Sequence, residues 1–437
     1  MLTGLSTDPQ VTALHRRLDR LRELRGPAVP DACAQVREVV VVASSSRSGS
    51  SMLAEVLRGC DALLHLRAEI NPFLRLAGLG FPDSGSGSDL LDAGHLESLP
   101  PLRRRMLDAE LALEIGNPAD EVADKHRFGL DVAWRLTVQW PEHDWTPEEV
   151  AGLAVRALHR LGRERAGGPP DWTRYRELLL QEVRAAGYPV DPSRYDGAQP
   201  AGAATGPPGE LLVEEPPFVP FGGWRHAGAE DLRSRPLVVK SPSNAYRLGF
   251  LRALFPHARL RVLHLTRNPA ASINGLYDGW RHRGFHAHRM PEPLDIAGYT
   301  DVRPQDRMWW KFDLPPGWSA YTAAPLPQVC AFQWRTCHRW ILDALGVADD
   351  HLRLRFEDLI GPPAVRQAAF GRLAGWLGIP AEPLRRVADE GVAPMSATVP
   401  PAPGRWRQRA SLIGTALDER VRSVAEELGY GADDEWI

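Results

Sequence analysis

The chain has 437 residues, 43% of them hydrophobic, and a formal net charge of −3. That apolar content suffices for a large core, and the near-balanced charge excludes a global basic field that would draw the protein onto nucleic acid or an anionic membrane. The four cysteines, Cys33, Cys60, Cys330 and Cys337, make no CxxC pair and no zinc spacing; this argues against a disulfide scaffold and leads us to expect reduced thiols in a cytoplasm.

Near the start, Leu14, Leu18, Leu21 and Leu24 recur at helical spacing, so a helix docked on the domain is expected within an N-terminal segment of residues 1–35. Arg16, Arg17 and Arg20 break up the leucines, which is unlike a signal peptide, and no apolar run approaches the roughly 18 residues of a spanning helix. Short β-branched runs at 39–43, 63–66, 237–240, 260–266 and 352–356 predict buried parallel strands. Helical patterns fall at 50–58, 244–255, after Pro269, and at 329–345, 364–377 and 417–428. Such alternation predicts an α/β fold, a central parallel sheet flanked by helices, built from residues 36–76 and 231–437. Residues 77–230 are too many for one crossover and predict a mainly helical insertion, with a flexible Pro/Gly connector at 199–209. A second insertion at 282–327 carries Trp309, Trp310 and Trp318 among histidines and prolines, a composition suited to a substrate lid.

Three motifs carry chemistry. The run Val39 to Val42, then Ala43-Ser44-Ser45-Ser46-Arg47-Ser48-Gly49-Ser50-Ser51, reads as a strand, a small-residue turn and a helix start, where backbone N–H groups and the helix dipole converge as an anion cradle. Gly49 permits close backbone approach, Ser50 and Ser51 add hydroxyls, and Arg47 adds a positive fork. No lysine follows Gly49, so a Walker loop for a nucleoside triphosphate is disfavoured. Lys240, in Lys240-Ser241-Pro242, and Arg267, in Arg267-Asn268-Pro269, each end a predicted strand, at the ligand-binding edge of an open parallel sheet. Asn268 is placed as a helix cap with Pro269 as first helical residue. The histidines at 282, 286 and 288 fit no helix ligand pair and have no carboxylate beside them in sequence, so no metal is expected.

Together these motifs resemble the PAPS-dependent sulfotransferase family, particularly its bacterial members and the tyrosylprotein sulfotransferases. The resemblance covers about residues 36–76 and 236–430 and implies a P-loop nucleotide-kinase-like core with helical insertions, binding 3′-phosphoadenosine 5′-phosphosulfate (PAPS) and releasing adenosine 3′,5′-bisphosphate. On it, Arg47, Ser48, Gly49, Ser50 and Ser51 look like the 5′-phosphosulfate loop, and Arg267 opens a segment similar to the 3′-phosphate loop. Lys240-Ser241-Pro242 is similar to the catalytic lysine strand, and Arg355-Phe356-Glu357-Asp358-Leu359 to a Tyr/Phe-Glu-Asp-Leu strand end. Gly404-Arg405-Trp406-Arg407 resembles the Gly-x-Trp cofactor tail. Two departures stand out: Gly275 occupies the position of the usual 3′-phosphate serine, leaving Ser272 or Asn274 to substitute, and Pro242 replaces the histidine base of the cytosolic enzymes. The tyrosylprotein enzymes use a glutamate just after the second strand, and Glu69 stands there, in Leu66-Arg67-Ala68-Glu69-Ile70-Asn71-Pro72.

The roles this implies are Lys240 and Arg47 opposing charge on the leaving oxygen and Glu69 accepting the acceptor's proton, without a metal. The expected acceptor is a hydroxyl or amine of a small-molecule or carrier-bound substrate, as in natural-product biosynthesis, with sulfation either final or activating a hydroxyl for elimination or cyclisation. A P-loop phosphotransferase and a catalytically silent nucleotide-binding protein are the alternatives. The sequence names neither the acceptor nor an oligomeric state.

Overall fold

Side chains of residues 38–43 alternate between two apolar layers, which fixes this segment in the interior of a sheet. Val39 and Val41 pack with Leu248 and Leu251 and with Ile341, while Val40 and Val42 pack with Leu53, Leu57 and Phe370. A strand covered on both faces by helices is the arrangement that parallel pairing requires. The computed structural model describes residues 9–164, 170–190, 206–216, 218, 221–431 and 436; residues 199–205 of the expected connector and 1–8 of the N-terminal segment lie outside them.

The strands are β1 (Glu38–Ala43), β2 (Leu64–His65), β3 (Gly116–Ala119), β4 (Gly223–His226), β5 (Leu237–Lys240), β6 (Arg259–Thr266), β7 (His286–Arg289), β8 (Trp309–Lys311) and β9 (Asp350–Arg355). Seven form one sheet in the order β4-β3-β2-β5-β1-β6-β9. The five strands from β2 to β9 pair in parallel, as the sequence pattern predicts. In that parallel part the chain passes from β1 to β2 and β5 on one side and to β6 and β9 on the other. The switch of direction leaves a crevice at the C-terminal ends of β1, β5 and β6, the expected place for a ligand. Register aligns those ends, with Val42 opposite Lys240 and Ala43 opposite His264.

Residues 77–230 contain the helices Lys125–Gln139, Pro147–Glu164 and Trp172–Ala185, but they also supply β3 and β4, which extend the sheet antiparallel beyond β2. The expectation of a mainly helical insertion did not include these strands, because Gly-Asn-Pro-Ala carries no strand signal. The pairing depends instead on close approach: a β-carbon on Gly116 would collide with the Arg225 carbonyl. The predicted helix at 244–255 is divided into a 3₁₀ turn, Pro242–Tyr246, and a helix, Leu248–Leu254. Within 282–327, β7 and β8 pair antiparallel over a third apolar cluster built on Trp280, Tyr299, Trp310 and Trp334. The N-terminal leucine stripe lies on the helix Pro9–Leu24, with Leu14, Leu18 and Leu21 buried.

Candidate functional site

The site begins where β1 ends. Arg47 and Gly49 take left-handed backbone conformations, φ 65° and 93°, turning the chain sharply into the helix Ser50–Arg58. Only glycine fits at 49, because the ring of Phe356 occupies the space a β-carbon would need. The underside of the turn is tied by hydroxyls: Ser45 Oγ lies 2.6 Å from Ser48 Oγ, which lies 3.4 Å from Ser272 Oγ. Ser48 and Ser272 are both fully buried, so their hydroxyls brace the loop from beneath. Ser50 and Ser51 are on the open side and line a cavity of about 400 Å³, together with Gly49, Arg267, Asn274, Arg405 and Trp406.

Parallel register brings the two strand-end cations to either side of this loop. Lys240 Nζ donates to Ser51 Oγ at 3.1 Å and forms an ion pair with Glu69, with side-chain exposures of 15% and 32% that leave the pair accessible. Glu69 reaches Lys240 because β2 lies beside β5. Arg67, its nearest basic neighbour in sequence, turns away to Asp131 at 3.0 Å. On the other side, Arg267 Nη1 donates to the Arg47 carbonyl at 3.1 Å and its guanidinium lies 4.6 Å from the Phe356 ring centroid. Asn268 caps the helix Pro269–Arg281 by accepting from the Ala271 N–H at 2.8 Å, and Glu357 holds the cap through the Asn268 backbone and side-chain amides. Phe356 and Glu357 therefore act as braces for Gly49, Arg267 and Asn268.

Arg47 extends between the second insertion, residues 282–327, and the C-terminal segment. Its Nη1 donates to the Ser396 carbonyl at 2.9 Å and its guanidinium lies 4.9 Å from the Phe285 centroid. Gly275 packs against it, since an added β-carbon would lie 3.3 Å from Arg47 Cβ. That contact gives a steric reason for glycine where a serine was expected. Of the two proposed substitutes Asn274 lines the cavity, and its Oδ1 accepts from Arg409 at 2.7 Å. Arg407 points elsewhere, donating to the Trp436 carbonyl at 2.8 Å with its guanidinium 5.2 Å from the Trp406 centroid, so it props the indole.

Most of residues 392–406 form a strap along one wall of the cavity. Residues 392–403 of the strap and Arg409 were not singled out from the sequence. The strap has no periodicity to betray it, and its one cue is the Pro400-Pro401-Ala402-Pro403-Gly404 run ahead of Trp406.

His65 and His282 are poorly suited to act as bases. Burial pushes His65 down to about 3; burial, then Lys311 and Arg47, push His282 down to about 4. The other two histidines of the second insertion do have carboxylate neighbours, brought close by folding: His286 lies 3.5 Å from Asp306 and His288 lies 3.4 Å from Asp89. Among the described residues no group of three or more His, Cys, Asp or Glu is placed to hold a metal ion, and no helix is long and apolar enough to cross a membrane.

No protein-family model and no curated protein sequence matches the chain. Among solved structures it is similar to a sulfotransferase domain from the curacin biosynthetic pathway, with a TM-score of 0.37 and 14% identity over 91% of this chain and 99% of that one. It is also similar to a sulfotransferase domain from the Synechococcus PCC 7002 olefin synthase, with a TM-score of 0.38 and 16% identity over 93% and 98%. Overlaps this loose say nothing of activity, which has to be argued from the site itself.

Proposed function

We propose that this protein is a sulfotransferase that moves a sulfuryl group from PAPS to a hydroxyl or amine of a small-molecule or carrier-bound acceptor. The observation that carries the reading is the ion pair of Lys240 with Glu69, made where Lys240 also donates to Ser51 of the anion-binding turn. A cation, a carboxylate and a helix start converge at one strand-end crevice, beside a cavity of about 400 Å³. That volume lies in the range of small-ligand sites, and its polar wall fits a nucleotide with two anionic groups.

In this reading the amides at residues 49–51 and the hydroxyls of Ser50 and Ser51 hold the 5′-phosphosulfate. Arg267, with Asn274, Arg405 and Arg409 nearby, holds the 3′-phosphate, and Trp406 offers its indole to the base. The acceptor oxygen or nitrogen attacks sulfur while the bond from sulfur to the bridging phosphate oxygen breaks. The acceptor proton passes to Glu69, and Lys240 neutralises the charge arriving on the bridging oxygen, which leaves with adenosine 3′,5′-bisphosphate. Arg47 joins the loop to the lid and the strap, so it brings both over the donor as well as adding positive charge. The reaction is assigned to the cytoplasm and to natural-product biosynthesis, where the product is either the sulfate ester itself or an activated leaving group.

The test is to incubate the protein with PAPS and pools of candidate acceptors and to examine products by mass spectrometry. Gain of a sulfuryl group with release of adenosine 3′,5′-bisphosphate supports the proposal; a requirement for magnesium and a nucleoside triphosphate would replace it with a phosphotransferase.

A further inference from the structure

A network of polar side chains behind Glu69 is not used by the proposed chemistry. Asn71 starts the helix Asn71–Leu76 and is buried. Its Oδ1 accepts from Arg247 Nη1 at 2.6 Å and from Ser241 Oγ at 3.3 Å. With its oxygen engaged by two donors, the amide has one orientation, and its Nδ2 must face the opposite way. There it stands 3.4 Å from Glu69 Oε2 and 3.3 Å from Glu215 Oε1.

Each partner is itself fixed. Arg247 is buried and donates to the Asp89 carbonyl at 3.0 Å and to its carboxylate at 3.1 Å. The other Asp89 oxygen accepts from Ser243 at 2.7 Å and from the Leu314 N–H at 2.9 Å. Glu215 is paired with Arg75, which also donates to the Val213 carbonyl at 3.0 Å and the Ala287 carbonyl at 3.0 Å. Burial raises the carboxyl of Glu215 above its ordinary range, and the Asn71 amide is a neutral donor shared between it and Glu69.

We infer that Asn71 is a positioning residue that holds the carboxylate of Glu69 in place and ionised when Lys240 turns toward the leaving oxygen, an inference that rests on the proposed sulfuryl transfer. Glu69 is held at one oxygen by Lys240 and at the other by Asn71. The lysine contact must loosen as its charge is called on by the breaking bond, whereas the amide contact is anchored from behind by Arg247 and Ser241. The charged groups around Glu69 are Lys240 from β5, Glu215 from the segment before β4 and Arg247 behind Asn71, with Arg75 paired to Glu215 and Asp89 paired to Arg247. Loss of the amide would leave Oε2 of Glu69 without this hydrogen-bond donor, with the Glu215 carboxylate on the other side of the gap.

The sign follows directly. A hydrogen bond donated to a carboxylate lowers its pKa, so removing the amide raises it, and activity that needs the ionised form is lost at a higher pH. Asn71→Asp keeps the oxygen for Arg247 and Ser241 but turns the donor into a third carboxylate; Asn71→Ala removes both. The experiment follows kcat against pH for wild type and both variants. In parallel, the Glu69 carboxyl is titrated by carbon NMR of glutamate-labelled protein, with Glu69→Gln supplying the assignment. The expected result is a kcat lower by roughly tenfold or more at neutral pH, an acid limb and a Glu69 titration moved up by about one pH unit, more for Asn71→Asp, and little change in affinity for adenosine 3′,5′-bisphosphate. A Glu69 titration unmoved in Asn71→Asp overturns the inference. That readout needs no turnover, so it separates this inference from the functional reading, which fails if wild type transfers no sulfuryl group. If Asn71→Ala unfolds, Asn71→Asp decides alone.

Discussion

The ring of Phe356 lies against the α-carbon of Gly49, in the space a side chain there would take, and the same ring faces the guanidinium of Arg267 at 4.6 Å. One aromatic residue just after β9 thus sets both the turn after β1 and the cation after β6. Gly49→Ala faces two penalties, a left-handed backbone at φ 93° and collision with the ring. The conformational term alone costs about 1–2 kcal/mol. Thermal unfolding should show at least that loss, and calorimetry should show binding of adenosine 3′,5′-bisphosphate weakened by roughly tenfold or more. Unchanged binding in a folded variant would remove the turn from the nucleotide site.

Arg267 is placed to distinguish a nucleotide with a 3′-phosphate from one without. Burial lowers its pKa, yet a guanidinium stays charged at neutral pH, so it presents a partly desolvated cation to the cavity. Adenosine 3′,5′-bisphosphate should bind well ahead of adenosine 5′-phosphate. Arg267→Ala should erase most of that preference, a change of about 1.5–3 kcal/mol, readable by competition binding. Equal affinities in the wild type would contradict the assignment.

How much of this was legible in the sequence depends on whether the determining contact is local. The strand at 39–43, the helix start at Ser50 and the cap at Asn268 all rest on patterns a few residues long, and the structure has each of them. Lys240 and Glu69 are 171 positions apart. Each stands out at the end of a strand, but their pairing follows from β2 lying beside β5, which is a property of the sheet. Strands β3 and β4 were invisible because Gly116 pairs by having no side chain. The strap at 392–403 is marked only by its proline run, and the amide of Asn71 carries no signal apart from what it touches.

A buried histidine pair predicts how stability responds to acid. His264 Nε2 on β6 and His338 Nδ1 on the helix Leu326–Ala344 are 2.9 Å apart, and burial pushes His338 down to about 3 and His264 well below its ordinary value. Both folded pKa values are depressed, so the unfolded chain binds more protons below about pH 6.5 and stability falls as pH drops through that value. At pH 5 the loss from His338 alone is about 2 kcal/mol. His338→Gln keeps a hydrogen-bonding partner but does not titrate. Its denaturant midpoint should fall less between pH 7 and pH 5 than that of wild type; a parallel fall would show that other groups govern acid sensitivity.

Turnover should survive chelation of divalent ions, because the charge on the leaving oxygen is met by Lys240. Assays with and without EDTA should give the same rate. Full loss in EDTA, restored by magnesium, would favour the phosphotransferase alternative.

The central claim is that Lys240 and Glu69 perform sulfuryl transfer at the mouth of the β1 turn. The most direct measurement is the single-turnover rate of sulfated-product formation from saturating PAPS, compared between wild type and Lys240→Ala. The account predicts product from the wild type, a rate lower by roughly a hundredfold or more in the variant, and a smaller change in nucleotide affinity. A variant that transfers at the wild-type rate and needs only more PAPS would contradict it.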